Sequence, residues 1–194
     1  IADMYKISCA GGGVGFNFSK IRPKGDDIQN IQWSAPGSIS VMKMINEIGE
    51  HVRAGKNRRT ALMSILSVNH PDFLEFLSVK LDRKELTNFN ISVAINNRFI
   101  SAVENDEDWH FTFGGRHNKY FCYNVERTNE KGEVDIVMVV AKDEDDAVGR
   151  ADQNHKAGWT DTFANAVLTP LKAKDIWERL ISNAVESGEP GIFN

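Results

Sequence analysis

The feature that most restricts the fold of this chain is a glycine-rich stretch near its start. Residues 11–15 read Gly-Gly-Gly-Val-Gly, and a backbone without side chains can lie very close to a neighbouring segment or a ligand. Val14, Phe16 and Phe18 then alternate with small or polar residues, which is the pattern of a half-buried strand. The sequence therefore predicts a strand with an unusually close neighbour, and both a ligand and internal packing fit that role.

Downstream of the glycines, segments with helical and strand-like patterns alternate. Ser38 is a suitable N-cap for the first long helix, Gly55 is a suitable stop, and Pro71 fits the start of a short helix. Such alternation is typical of the α/β class. The predicted helices cover about 39–53, 72–80, 98–104, 143–155 and 172–186, and the predicted strands about 61–66 and 90–95.

Residues 109–140 are different, because β-rich runs follow one another with turn signals between them. This pattern predicts a three-stranded meander inserted into the α/β unit. The predicted strands of the meander are 109–113, 120–125 and 134–140. The expected divisions of the chain are strand–helix units at 1–104, a β-rich insert at 105–142 and a helical return at 143–194.

Composition narrows the class of protein. The 194 residues carry a net charge of −4 with 41% hydrophobic residues, which is ordinary for a globular domain. No basic stripe indicates a nucleic-acid partner, and no apolar run reaches the roughly 20 residues that a membrane helix needs. The two cysteines, Cys9 and Cys122, are too few for a disulfide framework. Free thiols are typical of the reducing cytoplasm, so we predict a cytoplasmic location. Both ends of the chain look cut, so we expect an internal piece of a longer protein.

The motifs that carry chemistry are few. The glycine run is not a dinucleotide-binding fingerprint, because Phe16 occupies the position of the last glycine. Lys56, Arg58 and Arg59 form a basic loop, which fits either a solvated charge cluster or a clamp for phosphate or carboxylate. The five histidines have no metal-ligand spacing, so we predict no metal site. Cys122 is expected to be a small buried hydrophobe.

Five segments in a fixed order carry a resemblance to a known family. Together they resemble the large catalytic subunit of ribonucleotide reductase, with the better match to the adenosylcobalamin-dependent class II branch. The resemblance implies part of the first half of a ten-stranded α/β barrel. It also implies reduction of ribonucleotides to deoxyribonucleotides through a cysteine thiyl radical, with adenosylcobalamin as the cofactor of the complete enzyme. The segments are 11–25, 54–63, 69–76, 86–94 and 176–194.

The resemblance also assigns roles to residues. Gly12 and Gly13 match backbone positions that approach the substrate, and Arg58 matches a substrate-contacting arginine. Two loops match the segments that hold a deoxynucleoside triphosphate effector and relay its identity to the substrate base. The matching residues of the first specificity loop are Lys20, Arg22 and Lys24, and those of the second are Gly55, Lys56, Asn57, Arg59 and Thr60. Thr60 and Leu62 depart from the glycine and asparagine that are usual in this branch.

The resemblance assigns no catalytic residue to this chain. The radical cysteine of the family lies beyond Asn194, and Cys9 is too close to the glycines to be the first reducing cysteine. The isolated chain is therefore expected to be inactive. Its implied partners are a ribonucleotide, the effector, a thioredoxin-like reductant, and a second copy or a complementing reductase fragment. A class I large subunit and a non-catalytic nucleotide-binding module derived from the family remain alternatives.

Overall fold

The secondary structure was obtained from a computed structural model that describes residues 1–28, 34–52, 59–81, 84–115, 117–153 and 161–193. Helices and strands alternate along most of the chain, so the α/β class predicted from the sequence is confirmed. The helices are α1 (Ala2–Cys9), α2 (Gly37–His51), α3 (Phe73–Ser78), α4 (Asn97–Glu104), α5 (Glu144–Gln153) and α6 (Ala173–Ser187). The strands are β1 (Gly13–Asn17), β2 (Ala61–Ser67), β3 (Phe89–Ala94), β4 (Phe111–Thr112), β5 (Lys119–Thr128), β6 (Val134–Ala141), β7 (Thr162–Leu168) and β8 (Gly191–Phe193).

The first sheet is parallel and contains four of the described strands, in the order β1-β2-β3-β8. Gly13 pairs with Ala61 and Leu62 pairs with Phe89, so the strands start at one edge of the sheet and end at the other. The sheet is open in the described residues, as expected for part of a barrel. We call the edge where the strands begin the amino edge, and the edge where they end the carboxyl edge.

The second sheet is antiparallel and is built around β5. The predicted meander is confirmed, because β5 pairs with β4 and with β6. It also pairs with β7, a strand that the sequence analysis did not identify. The segment 143–194, expected as a helical return, thus contains the strands β7 and β8 besides α5 and α6. We call β4 to β7 together with α5 the insert.

Two separate apolar cores hold these sheets. The larger core surrounds the parallel sheet. It includes Trp109, which lies just before the insert, and Phe111 and Cys122 from the first strands of the insert. Burial raises the pKa of the Cys122 thiol to about 11, which fits the predicted role of a small core residue. The smaller core lies under α5 and consists of Tyr123, Val125, Val139, Ala141, Ala147 and Ala151. The insert therefore has packing of its own.

The start of α2 differs from the prediction. Pro36, not Ser38, is the N-cap residue, and Ser38 is buried in the first turn of the helix. Its N–H donates to Oδ2 of Asp72 at 2.7 Å, so a residue 34 positions away satisfies this end of the helix. A Cβ at Gly37 would lie 2.6 Å from Cβ of Lys24, which explains the glycine there. Among the described helices none is long and apolar enough to cross a membrane.

A buried hydrogen-bond network fixes the segment after β1 to this helix start. The carboxylate of Asp72 also accepts from the backbone N–H of Lys24 at 2.9 Å. Nδ1 of His70 accepts from the N–H of Asp72, which leaves Nε2 to donate to the carbonyl of Ile21 at 2.8 Å. The geometry therefore requires a neutral imidazole at position 70.

We expect the network to make stability dependent on pH. Burial lowers the pKa of His70, although Asp72, the Ile21 carbonyl and Asp26 oppose this shift. The unfolded chain therefore binds the proton more readily, so the free energy of unfolding falls as the pH drops below about 6.5. Urea unfolding between pH 7.5 and 5 measures this slope, which His70→Gln should flatten. Exposed His117→Gln is the matched control, and an unchanged slope in His70→Gln would contradict the assignment.

Candidate functional site

The two glycines assigned to substrate approach lie at the amino edge. A Cβ at Gly13 would lie 3.2 Å from the carbonyl oxygen of Ala61 in β2, and one at Gly12 would lie 2.7 Å from Cγ2 of Ile7. The close pairing of β1 with β2 thus leaves little room for a side chain at Gly13, and the turn after α1 leaves none at Gly12 unless Ile7 shifts. Both residues remain exposed, so their outward backbone is accessible to a ligand.

The end of the second specificity loop lies at the same edge. Thr60 immediately precedes β2, and its buried hydroxyl lies 2.7 Å from the carbonyl oxygen of Val52 and 3.0 Å from that of Gly49. The hydroxyl has one hydrogen and donates to one of these carbonyls at a time, and the Gly49 carbonyl also accepts the N–H of Val52 at 3.2 Å. Thr60 thereby adds a donor at the end of α2, where carbonyl groups lack the full set of helical partners. Arg59 is exposed beside it. Gly55, Lys56, Asn57 and Arg58 lie outside the described residues.

The residues matched to the first specificity loop lie at the opposite, carboxyl edge. Lys20 and Arg22 are exposed, and the guanidinium of Arg22 donates to the carbonyl of Asp27. Nζ of Lys24 lies 3.3 Å from the carboxylate of Glu75 in α3. A cavity of about 480 Å³, lined by Lys24, α3 and β6 among others, adjoins this loop. The structure thus brings Gly12 and Gly13 together with Arg59 and Thr60, the described residues matched to the second loop, and separates them from Lys20, Arg22 and Lys24.

Helix α2 joins the two edges. Its start is bonded to Asp72, which also holds Lys24, and its end is bonded to Thr60. Its 15 residues span about 22 Å at 1.5 Å per residue. The two loops are therefore connected through one rigid element.

A basic cavity that the sequence analysis missed opens at the carboxyl edge. It has a volume of about 910 Å³, and Arg98, His110 and Lys119 are among its lining residues, with no carboxylate among those described. Arg98 stacks over Trp109 at 4.8 Å, and its guanidinium lies 2.8 Å from Nε2 of His110. Oδ1 of Asn69, in the same wall, is buried without a hydrogen-bond partner. The cavity is suited to an anion.

No local motif could have identified this cavity. Arg98 comes from α4, His110 from the approach to β4 and Lys119 from the start of β5, so only the tertiary fold assembles them. In the sequence they appear as three isolated residues with ordinary spacing. Within the described ranges, no group of three or more His, Cys, Asp or Glu side chains is placed to hold a metal ion.

The electrostatics of the cavity can be tested at His110. Burial lowers the pKa of His110, and the positive charges of Arg98 and Lys119 lower it further. Arg98→Met should raise this pKa toward the usual 6.5, because it removes one positive charge and keeps an apolar stem against Trp109. NMR titration of the imidazole measures the shift. Added inorganic phosphate should also raise it, and a pKa above 6.5 in the unmodified protein would contradict the charge assignment.

Comparison with known proteins identifies the family. A family model described as ribonucleotide reductase, barrel domain, matches residues 1–194. A vitamin B12-dependent ribonucleoside-diphosphate reductase of Thermoplasma acidophilum is 42% identical over 96% of this chain and 18% of its own length. A Mycobacterium tuberculosis protein of the same name is 38% identical over 51% of this chain and 14% of its own length.

A more distant match extends the comparison to another branch. The ribonucleoside-diphosphate reductase large subunit of Caenorhabditis elegans is 27% identical over 96% of this chain and 21% of its own length. The chain thus spans about a fifth or less of the length of these three relatives. The family model covers every residue of this chain, and it confirms the resemblance seen in the sequence. The chain belongs to the ribonucleotide reductase family and matches its barrel domain.

Proposed function

We propose that this chain is the nucleotide-handling part of the barrel of an adenosylcobalamin-dependent ribonucleotide reductase. The observation that carries the proposal is 42% identity across 96% of the chain with a reductase named as vitamin B12-dependent. The complete enzyme would reduce a ribonucleotide at its 2′ position through a cysteine thiyl radical. In the complete enzyme, adenosylcobalamin would supply the carbon radical that takes the hydrogen atom from the cysteine thiol and so forms the thiyl radical.

The described residues do not fit the cofactor or the reacting thiols. Cys122 is enclosed in the main core with its pKa raised to about 11, and Cys9 lies exposed at the end of α1, away from the described cavities. Neither is suited to a radical step inside a closed site. We therefore assign the cofactor and the reacting cysteines to other parts of the complete enzyme and derive no step through them.

The proposed role of this chain is to bind and recognise nucleotides. Gly12 and Gly13 would let the substrate lie against bare backbone at the amino edge, where a side chain would block its approach. Arg58 and Arg59, with Gly55, Lys56, Asn57 and Thr60, would form the second specificity loop beside it. Lys20, Arg22 and Lys24 would bind the phosphates of the effector, because their positive charges complement those groups.

Helix α2 gives the two loops a physical connection. An effector that shifts Lys24 would act on Asp72, and Asp72 holds the start of α2. Thr60 is bonded to the other end of this helix, so a displacement would reach the second loop. Thr60 departs from the family glycine, and its hydroxyl would make this connection tighter than a glycine could.

The proposal includes the partners of the complete enzyme. These are a ribonucleotide, a deoxynucleoside triphosphate effector, a thioredoxin-like reductant, and a second copy or a complementing fragment, all in the cytoplasm. A non-catalytic nucleotide-binding module is the second candidate, favoured by the lack of a suitable thiol in the described residues. A class I large subunit is favoured only by weaker matches, such as the one at 27% identity.

The test uses the complete polypeptide that contains this segment. Ribonucleotide reduction should require adenosylcobalamin, and Gly13→Ala should lower kcat/KM about tenfold, equivalent to about 1.4 kcal/mol, because a methyl group 3.2 Å from the carbonyl oxygen of Ala61 would displace the exposed backbone that is proposed to face the substrate. Gly15→Ala is the matched control, since a Cβ there has no neighbour within 4 Å. Arg58→Ala should change which effector favours which substrate.

Results other than these would support one of the alternative functions. Reduction that needs a separate metal-bearing subunit instead of adenosylcobalamin would identify a class I enzyme. Nucleotide binding without any reduction would identify the non-catalytic module. Equal effects of Gly13→Ala and Gly15→Ala would contradict the substrate role of Gly13 while leaving the reductase assignment intact.

A further inference from the structure

The insert contacts the first specificity loop through one buried arginine. Arg150 of α5 is only 4% exposed, and its guanidinium donates to the backbone carbonyl of Lys24 and to Oδ1 of Asp26 at 2.5 Å. Its Nε donates to Oδ1 of Asp146 on the same helix at 2.8 Å, which orients the side chain. Arg150 thereby fixes the position of α5 relative to the loop.

Asp26 is the centre of this contact, and all its described side-chain partners belong to the insert or to the residue that follows β6. The hydroxyl of Tyr120 donates to its Oδ2 at 2.7 Å, and Nζ of Lys142 lies 2.9 Å from its Oδ1. Burial works to raise the pKa of Asp26, but hydrogen bonds from Tyr120, Lys142 and Arg150 hold it below its usual value. The carboxylate is therefore charged and tightly held at neutral pH.

The loop is shaped to accept the arginine. Gly25 has a φ of +83°, and a Cβ there would lie 2.8 Å from Cγ of Arg150 and 3.3 Å from its Cδ. The stem of Arg150 therefore occupies the space that a side chain at position 25 would need. Its guanidinium also lies 5.5 Å from the centre of the Tyr120 ring, which adds a cation–π contact.

The insert and the first loop each have other packing besides this contact. The insert has its own core under α5, and the first loop is already attached to the parallel sheet through Asp72. A buried ion pair also contributes little net stability, because desolvation of the charges offsets their attraction. What the pair does provide is a fixed position for residues 24–26 relative to the insert.

We propose that Arg150 is a positioning residue for the first specificity loop, through which the insert sets the strength of the effector response. This inference rests on the proposed function of that loop. Lys20 and Arg22 are exposed. The backbone near them is held at the carbonyls of Ile21 and Lys24, and the side chain of Asp26 is held by Arg150. A loop held in its binding conformation before the ligand arrives loses less entropy on binding, so its affinity is higher. By reciprocity, effector binding tightens the contact with the insert.

The experiment compares three variants of the complete polypeptide. Arg150→Met removes every donor and keeps the length of the stem, and Arg150→Lys keeps the charge without the planar fork. Arg127→Met is the matched control, because Arg127 makes an ion pair with Asp135 elsewhere on the insert. Two properties are measured: hydrogen exchange of residues 20–28, and the deoxynucleoside triphosphate concentration that gives half of the maximal change in substrate preference.

We expect Arg150→Met to speed exchange in residues 20–28 without affecting β2 and β3, and to raise the half-maximal effector concentration about tenfold. Arg150→Lys should recover part of both properties, and Arg127→Met should change neither. An arginine that only stabilised the fold would not raise the half-maximal effector concentration while exchange in β2 and β3 stays unchanged. If Arg150→Met does not fold, Tyr120→Phe removes only one hydrogen bond to Asp26 and should shift both properties in the same direction by less.

The outcomes separate this inference from the function on which it rests. If the unmodified enzyme responds to the effector and Arg150→Met or Tyr120→Phe leaves that response unchanged, the positioning role is wrong and the proposed function stands. If the unmodified enzyme has no effector response, the proposed role of the loop is wrong. Exchange in residues 20–28 that is the same in Arg150→Met and the unmodified enzyme would overturn the positioning role in either case.

Discussion

The arrangement of this structure depends on one buried carboxylate, that of Asp72. It accepts the backbone N–H of Ser38 at the start of α2 and that of Lys24 in the segment after β1. The N–H of Ser38 would otherwise be buried without a partner, which costs about 1–3 kcal/mol, and that of Lys24 is half-buried. Because Asp72 follows directly after β2 and its turn, this single side chain fixes a helix, a loop and a strand end relative to one another. Neutral His70 completes the network by bonding Asp72 and Ile21.

The separation of the two specificity loops follows from that arrangement. In a parallel sheet, the segment after a strand and the segment before the next strand lie at opposite edges, and α2 must cover the distance between them. The residues after β1 and those before β2 therefore cannot touch within the described chain. At its start α2 donates a hydrogen bond to Asp72, and at its end it accepts one from Thr60, so the helix is the direct structural link between the two segments.

The sequence predicted the elements that have a local pattern and missed those that depend on distant partners. A run of apolar residues was enough for β2, alternation was enough for β3, and the apolar stripe was enough for most of α2. Ser38 was taken as an N-cap because its residue type is right, but Asp72 supplies the acceptor from another element. Strand β7 was missed because several of its residues are exposed on both faces, so it has no clear alternation, and its pairing with β5 determines it.

The same distinction applies to the candidate sites. The glycines and the basic loop could be identified because their residue types are unusual where they stand, and the family resemblance gave them roles. The basic cavity of Arg98, His110 and Lys119 combines ordinary residues from three elements. Arg150 had the pattern of a helical residue and nothing more. An arginine suits this position better than a lysine, because one planar group must bond a carbonyl, Asp26 and Asp146 in different directions. That geometric demand, more than any gain in stability, explains why a charge is buried between the insert and the loop.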